Sequence, residues 1–155
     1  VDYISEQPHV LGFHDLMVQD YGPGQLFASL HVAMDMRDDP LYCHELIDDM
    51  ERECLRSHNI HLVIHYDPVV TDDPELNEMR DRVTRFFMEK DERMTIHDFR
   101  MVRGTGHTNL IFDMAIPEKL YGQKQQIKEK LDKRLNENAS CKYFTVITFD
   151  LAQFN

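Results

Sequence analysis

Basic residues are scarce in this sequence: 17 lysines and arginines stand against 28 aspartates and glutamates, a formal net charge of −11. A surface that negative repels phosphate backbones, which argues against a general nucleic-acid binder and favours cationic partners or ligands. Long apolar runs are missing too, since no segment approaches the roughly 18–20 apolar residues of a membrane-spanning helix. No charged, apolar, small-residue leader opens the residues, so no secretory signal is expected. Cysteine is sparse: Cys43, Cys54 and Cys141 are odd in number and share no C-x-x-C spacing, which fits a reducing compartment better than a disulfide scaffold. No H-E-x-x-H, no Cys/His finger and no G-x-G-x-x-G opening a helix occurs. With 42% hydrophobic and 29% charged residues, the 155 residues suit one packed domain or two very small ones. What is abundant is histidine, nine residues in all, seven of them before position 66.

The chain reads as two copies of one unit. Gly12-Phe13-His14-Asp15-Leu16-Met17 and Thr95-Ile96-His97-Asp98-Phe99-Arg100-Met101 place His14 and His97 at an offset of 83. Val63-Ile64-His65-Tyr66-Asp67 and Val146-Ile147-Thr148-Phe149-Asp150 match at the same offset, and Leu41-Tyr42 and Leu120-Tyr121 each open a helical stretch between them. The expected fold is α+β, α-β-β-α-β twice. The first unit has a short helical lead-in at 2–7, strands at 12–20 and 25–35, a helix at 40–57 and a strand at 60–67 that ends at Pro68. The second has a helix at 74–90, strands near 95–103 and 109–116, a helix near 118–137 and a strand near 142–150. Gly22-Pro23-Gly24 and Gly104-Thr105-Gly106 make the hairpin turns, and a linker lies around 67–73.

The strand period places the chemistry. Leu26, Ala28, Leu30, Val32 and Met34 point one way and His31 the other, while His61, Val63, His65 and Asp67 share a face. His44 lies one residue off the helical stripe of Cys43, Ile47, Met50 and Cys54, at the edge of its core face. His14 opens the first strand. His14, His31, His44, His65 and Asp67 thus come from four elements and can converge at one edge of the sheet. A lone strand histidine is usually a surface or hydrogen-bonded residue. Five such groups from separate elements shift the balance towards a metal site while leaving both readings open, and imidazole with carboxylate is a donor set that suits Zn²⁺, Co²⁺, Ni²⁺ or Fe²⁺.

The order Gly12-Phe13-His14-Asp15-Leu16, Ser29-Leu30-His31-Val32, His44-Glu45-Leu46-Ile47-Asp48 and Ile64-His65-Tyr66-Asp67-Pro68 closely resembles the C-terminal cytoplasmic domain of cation diffusion facilitator transporters, membrane exporters of Zn²⁺ and related divalent cations. The resemblance covers residues 1–68. It implies a metallochaperone-like (ferredoxin-like) fold for residues 1–70, with residues 71–155 as a degenerate repeat. It also implies a domain that dimerises on the cytoplasmic side of the membrane beside its own transmembrane half, binds Zn²⁺ and thereby tunes transport. The implied ligands are His14, His31, His44, His65 and Asp67, in a dinuclear site near the dimer interface. In the second unit His97, Asp113 and Asp150 remain as a weaker set, because Thr148 replaces His65 and residues 123–128 offer no transition-metal ligand. Pairing between two chains and pairing of the two units within one chain both fit.

The other candidates have plainer readings. Cys43 and Cys54 belong to the core stripe, with Cys43 beside His44 as a lesser metal candidate, and Cys141 is structural. His9 and His107 sit at turns, His58 ends a helix, and His61 is the best additional ligand. The acidic runs at 35–39 and 48–53 are solvated faces that also concentrate cations. The function expected is a regulatory and dimerisation module that senses cytosolic metal and carries no catalytic activity. A metal-independent scaffold is the alternative. A metal-dependent hydrolase is the weakest reading, for no carboxylate or serine is placed as a base.

Overall fold

In the computed structural model, which describes residues 1–152, six strands and five helices give a mixed α+β fold divided into two units, Val1–Val69 and Val70–Asn155. The first unit runs α1 (Asp2–Ser5), β1 (Gly12–Asp20), β2 (Leu26–Asp35), α2 (Pro40–His58) and β3 (Ile60–Val69). β1 pairs antiparallel with β2, and β2 pairs parallel with β3 through the α2 crossover. The hairpin between β1 and β2 needs left-handed backbone, which Gly22 (φ 118) and Gly24 (φ 72) supply.

The helix forms where its caps and its stripe agree. The Asp39 side chain accepts from the Leu41 N–H at 2.9 Å, Pro40 occupies the first turn, and Asn59 stops the helix in a left-handed conformation at φ 53. Cys43, Ile47, Met50 and Cys54 are buried, as their spacing predicts, against Ile4, Leu30, Val32, Met34 and Ile64. Each fully buried aliphatic side chain contributes about 1.5–3 kcal/mol. The sheet therefore has one face covered by α1 and α2. Its other face carries Met17, Ser29, Phe27, His61 and Val63, together with the histidines of interest.

The second unit repeats the order: α3 (Pro74–Met88), β4 (Thr95–Arg103), β5 (His107–Ile116), α4 (Glu118–Tyr121), α5 (Lys124–Asn136) and β6 (Lys142–Leu151). β4 pairs antiparallel with β5, and β5 pairs parallel with β6. Its core joins Val83 and Phe87 of α3 to Met101, Leu110, Phe112 and Met114 of the sheet and Leu131 of α5.

The lead-in helix ends at Ser5 rather than 7 and α3 at Met88 rather than 90, and three further differences have a visible cause. The helix expected near 118–137 is two, because after Gly122 the Gln123 N–H turns back to the Leu120 carbonyl at 2.9 Å and a new helix starts from Gln123. β3 continues through Pro68 to Val69, whose carbonyl accepts from the Met36 N–H at 2.9 Å, so the loss of one proline donor does not end the ladder. β5 begins at His107 rather than 109, where Gly104 N–H closes the hairpin on the His107 carbonyl at 2.7 Å.

The two antiparallel hairpins share one irregularity. Between His14 and Met17, β1 spends one residue more than β2 spends between His31 and Ser29, and Asp15 takes φ 53. Between His97 and Arg100, β4 does the same against β5, with Asp98 at φ 52. Each is a β-bulge built on an aspartate, a residue that tolerates left-handed backbone.

Candidate metal centre

Register sets the histidines side by side. His14 of β1 faces His31 of β2, His31 faces His65 of β3, and Ala33 faces Asp67. Facing residues share a sheet side, so the three imidazoles stack across the open face. The His14 and His31 ring centres lie 4.8 Å apart, and those of His31 and His65 4.9 Å. The small Ala33 leaves room for the Asp67 carboxylate to lean towards the row. Asp67 Oδ2 lies 2.9 Å from His14 Nε2 and 3.2 Å from His31 Nδ1.

His14, His31 and Asp67 offer one ligand atom each within 4.8 Å of one another, and among the described residues they form the one group of three potential metal ligands that close. The side chains of His14 and Asp67 are 14% and 15% exposed and that of His31 36%. An ion there would be partly shielded from water yet reachable. The set fits a borderline divalent cation, two imidazoles and one carboxylate leaving a position for a further donor. His65 is exposed and stacked on His31, next in line to that position.

A fourth residue completes the arrangement. Asp15 Oδ2 lies 2.9 Å from His14 Nδ1. Regular alternation would send Asp15 to the opposite face from His14, and the bulge with its positive φ turns the carboxylate back onto the ring. His14 thus sits between two carboxylates, one on each nitrogen. Both nitrogens can donate only in the imidazolium form, or a cation between Nε2 and Asp67 can take the place of one proton while Nδ1–H stays on Asp15. The sequence reading missed Asp15. The one signal for it is the recurrence of His-Asp at 97–98.

Several expected residues are not brought together. His44 is exposed on α2, which covers the apolar face of the sheet, while His14, His31 and Asp67 lie on the other. Within one chain the sheet separates them, so the expected convergence of His44 at a common edge is corrected. The conflict was already present in the pattern, because a helix packed on Leu30 and Val32 is packed away from His31. His97, Asp113 and Asp150 form no such group, although His97 faces Asp113 in the register and Asp113 faces Thr148. His97 Nε2 instead lies 3.2 Å from Thr95 Oγ1. His61 stacks on Phe27 at 4.8 Å, outside the group. His9 is not merely solvated: its Nδ1 lies 3.2 Å from Asp38 Oδ2 and its ring meets Tyr42 edge-on. Cys43 is buried in the core beside Tyr66, whose phenol is pushed up to about 12 chiefly by burial and then by its hydrogen bond with Cys43.

The acidic runs also hold structure. Glu51 accepts the Ile64 N–H at 2.8 Å, Asp35 pairs with Arg37, and Asp48 with Arg52. Among the described residues no helix is long and apolar enough to cross a membrane.

Comparison with known proteins adds one finding. No curated protein and no solved structure matches the chain. Residues 1–69 match the family model of the cation efflux protein cytoplasmic domain, a span that holds the bulge, the histidine row and Asp67. The match spans the whole α-β-β-α-β first unit, so residues 1–69 are similar to the cytoplasmic domain of cation efflux proteins, and it does not extend into the second unit.

Proposed function

We propose that the first unit is a regulatory module on the cytoplasmic side of a divalent-cation efflux transporter, and that it binds Zn²⁺ or a related ion through His14, His31 and Asp67. The observation that carries this is the closeness of those three ligand atoms, within 4.8 Å on one sheet face. His65, adjacent in the stack, supplies a further donor. Residues 1–69 resemble the cytoplasmic domain of cation efflux proteins, which supports a second copy of the chain as the partner, with the transmembrane part of the same transporter alongside. His44 can join the donor set only from a second copy, since its own sheet stands between. Metal then links copies that otherwise repel, and the balance of open and closed dimers reports cytosolic metal to the transporter. His14, His31 and Asp67 would hold the ion, which would supply a positive charge to offset the carboxylate. The chain's own residues orient the rings, limit water at His14 and Asp67, and keep Nδ1–H on Asp15.

The second unit is read as a degenerate copy that contributes packing rather than a metal site. It keeps the strand register, the bulge, His97 and Asp150, but Asp113 and Thr148 stand where the first unit has His31 and His65.

The test is calorimetric titration of Zn²⁺ into chelator-treated protein, read with sedimentation velocity. Submicromolar binding with a shift to dimer is expected, and His65→Ala with Asp67→Ala should abolish tight binding. Unchanged affinity in that variant would sink the site. A metal-independent dimerisation scaffold is the second reading. It is favoured by the exposed Met17, Phe27 and Val63 on the same open face, where they line a groove of about 230 Å³. It requires the same oligomer with and without chelator.

A further inference from the structure

We propose that the groove between α3 and α5 in the second unit is a binding site for a phosphate-bearing anion. The groove, of about 180 Å³, is lined by Arg82, Arg85 and Phe86 of α3, by Glu89 just past its end, and by Leu131 and Arg134 from α5. Leu131 is buried and Phe86 half-buried, so both add apolar surface beside the arginines. Three guanidiniums and a single carboxylate make the rim.

Pairing sets these arginines apart. Arg37, Arg52, Arg56, Arg93 and Arg103 each form an ion pair with a carboxylate. Among the described residues no ion pair engages Arg82, Arg85 or Arg134. Arg82 Nη1 reaches Met79 Sδ at 3.6 Å, and Arg85 Nε donates to the Asp81 carbonyl at 3.4 Å. In a chain with 28 acidic residues, cations converging on one groove without a matching set of carboxylates repel each other. An anion with several oxygens relieves that repulsion and accepts from planar guanidinium forks in pairs. A phosphate monoester or pyrophosphate offers enough oxygens for all three, and Phe86 and Leu131 offer apolar contact to an organic portion beyond the phosphate. Local charge permits approach, since residues 70–155 hold 14 basic and 15 acidic residues, against 3 and 13 in residues 1–69. A free phosphate compound and a lipid headgroup present the same chemistry.

The experiment uses the whole, chelator-treated chain. It is titrated calorimetrically with inorganic pyrophosphate and floated with phosphatidylcholine vesicles with and without phosphatidic acid. Saturable binding is expected, weakened roughly tenfold or more in Arg82→Gln and in Arg134→Gln. Arg82→Lys, which keeps the charge but not the fork, should fall between. Arg100→Gln, on β4 and likewise outside the described ion pairs, should bind as the parent does, and melting curves establish that each variant is folded. Pyrophosphate binding without flotation assigns a soluble phosphate compound, and flotation only with phosphatidic acid assigns a headgroup. Failure to bind either probe, or an equal loss in Arg100→Gln, overturns the proposal.

Discussion

At the scale of single residues, His14 is held between two carboxylates, and Asp15 reaches it only because β1 bulges there. This separates backbone from side chain cleanly. Asp15→Gly keeps the left-handed conformation and removes the carboxylate, while Asp15→Asn keeps an oxygen acceptor as well. Zn²⁺ affinity should fall about 10–100-fold in Asp15→Gly and less in Asp15→Asn. Unfolding stability should stay within about 1 kcal/mol of the parent in both. Calorimetry and denaturant melts check the two halves, and an Asp15→Gly protein with parental affinity would remove the orienting role. His31, His65 and Asp67 were legible in the sequence because strand alternation alone puts them on one face. Asp15 was not, because a bulge on aspartate has no marker of residue type. His44 was less legible, because a position one off the helical stripe does not say which face of the sheet the helix covers, and α2 packs on Leu30 and Val32, away from His31.

At the scale of elements, helix ends and stripes carry the stability. Met50 is fully buried in the α2 stripe, and Met50→Ala should cost about 2–5 kcal/mol in urea unfolding. The start of α3 is tied by Asp73, whose carboxyl is held below its ordinary value first by the Glu75 backbone N–H and then by Arg103. Asp91 is held well below the carboxylate range by the side chain of Arg93 and then by its backbone N–H. Lowered folded values mean that both contributions are fully present above the ordinary carboxylate range, about pH 4. They are lost as pH falls through the lower folded values. Asp73→Asn and Asp91→Asn should therefore flatten the acid limb of melting temperature against pH, and an unchanged limb in both would contradict the assignment. The α2 helix was readable end to end because cap, proline, stripe and stop coincide. The break between α4 and α5 was not, because a single glycine at 122 weakens a helix without fixing whether it stops.

At the scale of the whole molecule, charge is divided unequally: the first unit has 3 basic and 13 acidic residues, the second is nearly balanced. Two copies meeting through the first unit repel, so self-association should tighten as salt rises or as Zn²⁺ is added and loosen with chelator at low salt. Sedimentation at graded salt checks this, and association that weakens with added salt would refute it. His44→Ala should leave the Zn²⁺ affinity of dilute protein unchanged but weaken Zn²⁺-dependent association. A loss in dilute protein as large as that of Asp67→Ala would return His44 to its own chain's site. The twin bulges have a different consequence. Asp98 holds the same kink where no three-ligand group closes, so the kink does not depend on a metal for its existence. Under the proposed function, acquisition or loss of the ion is then a matter of side-chain exchange on a standing backbone. Asp113→His with Thr148→His would write the first unit's donors onto the second, turning one chain into a protein with two addresses for the same ion.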